Sequence, residues 1–271
     1  MTLSGQTFSI LGADGVIGRA LCRHLAAQGA TVQAFGRKAD GYLSQPLGHA
    51  IYAIGLTADY AARPFDTVEA HSSLFARLLK DAAFDSMTYL SSTRLYDGGT
   101  SGREDAPLAL SPQNPRHLYD LSKALGESLC LTAGRANVRA ARLAVVYDDG
   151  LTGENFLHDV IRRAAAAPQL HLDSHPRLAR DYVHMDDVCA ALVAIATGGR
   201  RQIYNVASGV NVTNADLFVA LEKLTGCKIS TTTNAAAPYV VSPVVDVTAM
   251  AEDLAIRPRQ LMSTLPTLIP R

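Results

Sequence analysis

Neither sign of charge is in excess in this chain: 25 lysines and arginines face 25 aspartates and glutamates. Such a balance gives no electrostatic reason to expect nucleic acid or an anionic membrane as a partner. No apolar run approaches the roughly 18 residues of a membrane-spanning helix. The first residues lack the basic-then-apolar order of a secretion signal, so the expected compartment is the cytoplasm. Cysteine is scarce. Cys22, Cys130, Cys189 and Cys227 stand far apart without metal-ligand spacing and read as small buried hydrophobes. The eight histidines form neither HxxxH nor HExxH, and no metal is expected. Repeats, long linkers and charge blocks are missing as well. Against these absences, 48% of the 271 residues are apolar, enough for a sizeable core in one large domain or two small ones.

What is there is an alternation of strand-like and helix-like segments, the pattern of an α/β protein with a mainly parallel sheet. Strands are expected at 7–11, 31–35, 50–54, 87–90, 139–146 and 203–206. Helices are expected at 16–28, 68–80, 118–132, 186–196 and 214–225. In the first helix Ile17, Ala20, Leu21 and Leu25 recur at helical spacing, and Gly29 is a natural stop. A threonine- and alanine-rich stretch occupies 231–237.

The stretch "LGADGVIGRAL" joins the first strand to the first helix with Gly12, Gly15 and Gly18. A glycine-rich turn there sets backbone N–H groups and the positive end of the helix against a phosphate. Gly12 permits the tight turn, Gly15 the approach of a pyrophosphate, and Gly18 close packing of helix on strand. The spacing is GxxGxxG rather than GxGxxG, and ordinary βα turns also use small residues. At the end of the second strand, "AFGRK" has Gly36 where an NAD site wants a carboxylate for the adenosine ribose. Arg37 and Lys38 follow. They suit a ribose 2′-phosphate, or else are solvated loop cations. The expected cofactor is therefore NADP(H), with NAD(H) as the alternative. Val16, Ile17 and Gly55 complete the expected cofactor contacts.

"HLYDLSKALGE" sets Tyr119 and Lys123 one turn apart on a helix face. A phenol, with an ordinary pKa of roughly 10, is a poor acid or base at neutral pH. A neighbouring ammonium and a cationic nicotinamide stabilise its phenolate, so that Tyr119 can exchange a proton with a substrate oxygen. YxxxK alone is common in helices. Upstream, "MTYLSSTRLYDG" ends a strand in Ser91, Ser92 and Thr93, at the edge where open α/β sheets hold ligands. Ser92 is placed to hydrogen-bond the same substrate oxygen. Ser91 and Thr93 serve equally well as turn residues bonded to their own backbone.

Together the glycine turn, "YLSSTRLYDG", "YDLSK", "RDYVHMDDV" and "YNVASG" resemble the extended short-chain dehydrogenase/reductases, the group of nucleotide-sugar epimerases, dehydratases and ketoreductases. The resemblance runs from about residue 6 to about residue 258. It implies a doubly wound Rossmann sheet with a smaller C-terminal substrate lobe. The Rossmann part would take 1–146 with 179–206 returning to it, and the lobe 147–178 and 207–271. It implies Ser92 as catalytic hydroxyl, Tyr119 as acid/base, and Lys123 as both its tuner and the grip on the nicotinamide ribose. Thr93, Arg94, Asn155 and Arg180 fall at substrate positions, the last two matching residues that bind nucleotide diphosphates. Asn155 reads equally as a helix N-cap, and Arg180 as the ion-pair partner of Asp181 or Asp186. Relatives often pair through the helices that hold residues 68–80 and 118–132, which implies a homodimer.

Four departures from that family pattern matter. Thr93-Arg94 stands where 4,6-dehydratases carry Asp-Glu, so elimination of water is not expected. Val145 to Asp149 lacks the asparagine of the usual N-V-Y-G-P. A second diphosphate-gripping arginine is replaced by Ala235, Ala236 and Ala237. Only about a dozen residues separate Arg37 from the next strand, so one strand–helix unit is missing. The leading expectation is an NADP(H)-dependent reductase of a carbonyl on a nucleotide sugar or similar polar substrate. The alternatives are a nucleotide-sugar epimerase with retained cofactor, a reductase of a non-sugar ketone or aldehyde, and a non-catalytic dinucleotide sensor.

Overall fold

In a computed structural model the described residues are 2–36, 41–232 and 239–270. The first part runs β1 (Thr7–Leu11), α1 (Val16–Ala27), β2 (Thr31–Phe35), β3 (His49–Tyr52), α2 (Pro64–Val68), α3 (Leu74–Asp81), β4 (Ser86–Ser92), α4 (His117–Thr132) and β5 (Val138–Leu143). The rest runs β6 (Val145–Tyr147), α5 (Phe156–Ala166), β7 (Gln169–Leu172), β8 (Ala179–His184), α6 (Met185–Gly198), β9 (Ile203–Val206), β10 (Asn211–Thr213), α7 (Asn214–Thr225), β11 (Lys228–Thr231), α8 (Thr248–Leu254) and α9 (Leu261–Leu268). Six strands form one sheet in the order β2-β1-β3-β4-β5-β9, parallel throughout. This is a Rossmann-type doubly wound α/β core with a C-terminal extension of helices and short strands.

The order reverses between β1 and β3, and ligands of open α/β sheets sit outside the strand ends at such a switch point. β2 is an edge. Among the described residues no strand intervenes between β2 and β3, in keeping with the short connection in the sequence. One apolar cluster, with Phe8, Ile10, Leu21, Leu25, Leu192 and Met250, packs α1, α6 and α8 on the sheet. A second, with Tyr52, Phe75, Leu78, Met87, Tyr89 and Val138, gathers α3 and strand residues. A third core, with Tyr147, Leu157, Tyr182, Leu217, Leu221 and Leu265, belongs to the extension. There two small sheets form, β10-β8-β6 and β11-β7.

Two elements differ from their sequence expectation for identifiable reasons. The helix expected from Val68 starts at Pro64, with proline where its missing N–H costs nothing, and widens into a π turn at Glu69–Ser73. Carbonyls at that turn are taken by buried phenols: Tyr52 donates to Ala70 O at 2.7 Å and Tyr89 to His71 O at 2.9 Å. The strand expected over 139–146 divides at Ala144. Its first part stays in the main sheet, and β6 leaves it to pair with β8.

A buried ion pair ties the sheet to α4. Arg142 and Glu127, with side chains 3% and 4% exposed, meet through two hydrogen bonds of 2.6 and 2.9 Å. Arg142 also donates to the Tyr96 hydroxyl at 2.6 Å, and Tyr96 donates to Asn205 Oδ1 at 2.7 Å. Removing one partner strands a buried charge, a loss of about 3–5 kcal/mol. Glu127→Ala is therefore expected to lose that much in urea unfolding, while Glu127→Leu combined with Arg142→Met loses clearly less. Equal losses in both variants would contradict this account.

Candidate active site

The glycine turn is a cradle that side chains would fill. Gly12 has φ +94°, and a Cβ there would lie 2.9 Å from the Ala53 carbonyl carbon. A Cβ at Gly18 would collide with the Gly12 carbonyl oxygen. The first turn of α1 thus rests directly on the end of β1. Gly15 is the N-cap and offers no side-chain cap, so the N–H groups at the helix start remain for a ligand. Val16 and Ile17 line a cleft of about 440 Å³, with Ala53, Ile54 and Gly55 beyond the end of β3 on the other side. This cradle fits a dinucleotide pyrophosphate.

At the end of β2 a carboxylate lies close to Gly36. A Cβ at Gly36 would collide with the Asp14 carboxylate, so Asp14 fills the space beside that glycine. Arg19 holds the turn by donating to the Asp14 carbonyl. Arg37 and Lys38 lie outside the described residues.

Ser92, Tyr119 and Lys123 line the same cleft. Ser92 ends β4, and its hydroxyl accepts the Arg94 N–H at 3.2 Å, capping a short 3₁₀ turn over Thr93–Tyr96. On α4, Tyr119 is 7% and Lys123 4% exposed. Burial raises the Tyr119 pKa, while the Ser92 hydroxyl and the Arg94 guanidinium pull it down and Asp120 pushes it up. Lys123 Nζ donates to Leu90 O at 2.8 Å and lies 4.9 Å from the centre of the Tyr89 ring. Burial lowers its pKa to about 7, with Glu127 opposing.

A buried histidine completes the setting. His71, on the π turn, sits edge-on to Tyr119 with ring centres 5.2 Å apart. Burial first, then Lys123, lowers its pKa to about 3, so it is neutral. Its Nε2 accepts the Leu56 N–H at 3.1 Å. The proton is then on Nδ1, which donates to Ser122 Oγ at 2.8 Å, and Ser122 donates to Tyr119 O at 2.8 Å. The imidazole thereby links the loop after β3 to α4. Neither His71 nor Asp14 was marked by any motif in the sequence.

Thr93, Arg94, Asn155 and Arg180, expected at substrate positions, all line the cleft. Asn155 caps α5: its Oδ1 accepts the His158 N–H at 2.9 Å and its Nδ2 donates to Val146 O at 3.0 Å. Arg180 pairs with neither Asp181 nor Asp186. It lies 3.6 Å from Asp97 and donates to Ser242 Oγ at 2.6 Å, and Ser242 in turn donates to Asp97 at 2.5 Å. Asp181 turns away to accept the N–H groups of Ser208, Gly209 and Val210 at 2.7–3.1 Å. Ala235, Ala236 and Ala237 lie outside the described residues.

Similar solved structures include MoeE5 in complex with UDP-glucose and NAD, at 20% identity and TM-score 0.79, covering 97% of each chain. A UDP-glucose 4-epimerase from Thermotoga maritima with UDP-glucose follows at 17% identity and TM-score 0.77, again covering 97% of each chain. WbmF of Bordetella bronchiseptica with NAD+ matches at 17% identity and TM-score 0.73, over 98% of this chain and 92% of that one. No curated protein matches the chain.

The expectation of NADP(H) is corrected by these comparisons. MoeE5 carries NAD in complexes with two ligands and WbmF carries NAD+ or NADH, against NADPH in one further similar structure. The comparisons favour NAD over NADP(H). At Gly36, where the sequence lacks a carboxylate, the Asp14 carboxylate occupies the adjoining space, a group better suited to ribose hydroxyls than to a 2′-phosphate. Among the described residues no helix is long and apolar enough to cross a membrane. Fold, cradle and comparisons converge on one assignment: over residues 8–207 the chain matches the NAD dependent epimerase/dehydratase family, and it is an enzyme of that family.

Proposed function

We propose that the enzyme is a nucleotide-sugar epimerase that keeps NAD bound through its cycle. The observation that carries this reading is the single cleft that joins the glycine cradle, the Ser92–Tyr119 pair and Arg180. NAD bound there would supply the acceptor and donor of the hydride for a carbinol carbon. Ser92 orients the substrate oxygen. Tyr119 takes the hydroxyl proton as the carbon is oxidised and gives it back after the sugar has turned its other face. Lys123, which lines the cleft beside Gly55, holds the nicotinamide ribose. No group for elimination stands next to Ser92, since Arg94 is engaged with Asp120 at 3.0 Å. The similarity to a UDP-glucose 4-epimerase supports epimerisation over a net reduction.

In this reading residues 147–178 and 207–271 form the substrate lobe, with Thr93 on the sugar side. Arg180, helped by the start of α5 at Asn155, faces the diphosphate. The Asp97 carboxylate offsets that guanidinium, so diphosphates bind weakly. The functional unit is a homodimer. Supporting that, Phe65 is 87%, Val68 38% and Leu125 49% exposed on α2 and α4, apolar side chains that a partner would cover.

Two outcomes are expected. With UDP-sugars, the NAD-loaded enzyme interconverts epimers without net change in cofactor absorbance, and Tyr119→Phe lowers the rate by about 10²–10⁴-fold while NAD binding persists. Cofactor consumption in proportion to product would instead identify a reductase. In calorimetry, UDP is expected to bind the NAD-loaded protein weakly and to compete with the sugar nucleotide. Arg180→Ala abolishes that heat, and Asp97→Asn increases the affinity roughly tenfold, the scale of one charge-assisted contact. No heat from UDP, dTDP or GDP with folded protein would remove nucleotide sugars as the substrate class.

A further inference from the structure

We propose that Arg94 is a positioning residue for the reaction, a fixed cation stacked on the Tyr119 ring that sets how readily this phenol gives up its proton. The inference rests on the reading of Tyr119 as the acid/base. It adds Arg94 to the tuning that the resemblance implies for Lys123.

The guanidinium carbon of Arg94 lies 4.9 Å from the centre of the Tyr119 ring and 5.0 Å from that of Tyr60. The two rings are themselves 5.6 Å apart, so both lie against the same guanidinium. Its Nε and Nη2 donors are engaged. Nε meets the Asp120 carboxylate at 3.0 Å, and Nη2 donates to Arg116 O at 2.8 Å and to the Tyr60 hydroxyl at 3.1 Å. Asp120 is 5% exposed, so the partner that anchors Arg94 is itself held in place. A cation over an aromatic face is attracted to the ring, and more strongly once that ring carries a negative charge. Arginine keeps its charge at any accessible pH.

Lys123 acts from another side. Its ammonium is directed at the Leu90 carbonyl and the Tyr89 ring, and burial lowers its pKa to about 7. The groups that face Tyr119 are few. His71 stands edge-on from the π turn and is neutral, and Ser92 reaches it from β4. Tyr60 and Arg94 pack from the loops before α2 and after β4, while Asp120 and Lys123 share its own helix. Of the two charges acting on the phenol, Arg94 outweighs Asp120. An opposite charge at about 4–6 Å moves a pKa by about 1–3 units, and partial exposure of Arg94 places the effect near the lower end.

The test reads the phenol itself and needs no turnover. Phenolate absorbance is titrated in NAD+-loaded protein, and the curve of the matching Tyr119→Phe variant is subtracted to leave the one tyrosine. Arg94→Met is expected to raise the Tyr119 pKa by about one unit, and Arg94→Lys to restore most of the shift. Because Arg94→Met strands the buried Asp120 carboxylate, a second comparison is made between Asp120→Asn and Asp120→Asn/Arg94→Met. Removing the carboxylate alone lowers the pKa, and removing the cation as well raises it again. Coincident curves with and without Arg94 in both comparisons overturn the assignment. A shifted titration in a protein that turns over no sugar nucleotide would refute the proposed activity and leave the role of Arg94 standing.

Discussion

Nothing larger than a hydrogen fits between the end of β1 and the start of α1, and the rest of the site hangs on that contact. A Cβ at Gly18 would meet the Gly12 carbonyl oxygen, and one at Gly12 would meet the backbone of Ala53. These two glycines therefore bring three backbones together: β1, α1 and the segment after β3. The switch point of the sheet lies between β1 and β3, so the packed turn and the topological crevice coincide. The cofactor cradle is a consequence of how closely these elements approach, and side chains contribute only its walls.

The second constraint is polar and buried. Placing Tyr119 and Lys123 under the cleft removes them from water, and each buried donor or acceptor around them needs a partner. The π turn at Glu69–Ser73 supplies several. Its carbonyls satisfy Tyr52 and Tyr89, its His71 bridges Leu56 to Ser122, and Ser72 donates to Ser122 O at 3.0 Å. The wide turn is thus fitted to the helix that carries the reacting phenol. Single π turns inside helices recur at functional sites. Here the turn fixes the tautomer of a neutral histidine that packs edge-on against Tyr119.

The strongly patterned segments of the chain were legible in advance. β1, α1, β2, α4, β9 and α7 fall within a residue or so of the segments read from apolar spacing and glycine stops, because burial dictates both. The Ser92–Tyr119–Lys123 grouping was legible because α4 and β4 are sequence-local frames for it. What failed was long-range. Arg37 and Lys38 after Gly36 suggested a phosphate partner, while the carboxylate beside Gly36 comes from Asp14 across the turn, a contact that no local pattern encodes. Arg180 was weighed against Asp181 and Asp186 in its own segment, and its partner is Asp97 from the far side of the cleft. Asn155 shows the opposite case: as N-cap of α5 it follows the local rule, and it also lines the cleft. The short strands of the extension, four residues or fewer in β6, β7, β10 and β11, carry too few alternations to announce themselves.

The charges of the cleft suggest how it divides its work. Among the described residues, the two arginines that line it, Arg94 and Arg180, each come with a carboxylate, Asp120 at 3.0 Å and Asp97 at 3.6 Å. An anionic ligand gains less from a guanidinium paired in this way than from an unpaired one. Backbone N–H groups at the start of α1, which no side chain caps, offer a dinucleotide a different hold. In the proposed reading, retention of the cofactor and loose holding of the substrate then follow from one design. An enzyme that must let its oxidised intermediate turn over within the cleft, and present its other face to the same nicotinamide, works better with a substrate that is not clamped at every charge. The ion pair of Arg180 with Asp97 is therefore as much a part of the proposed epimerisation as the phenol that moves the proton.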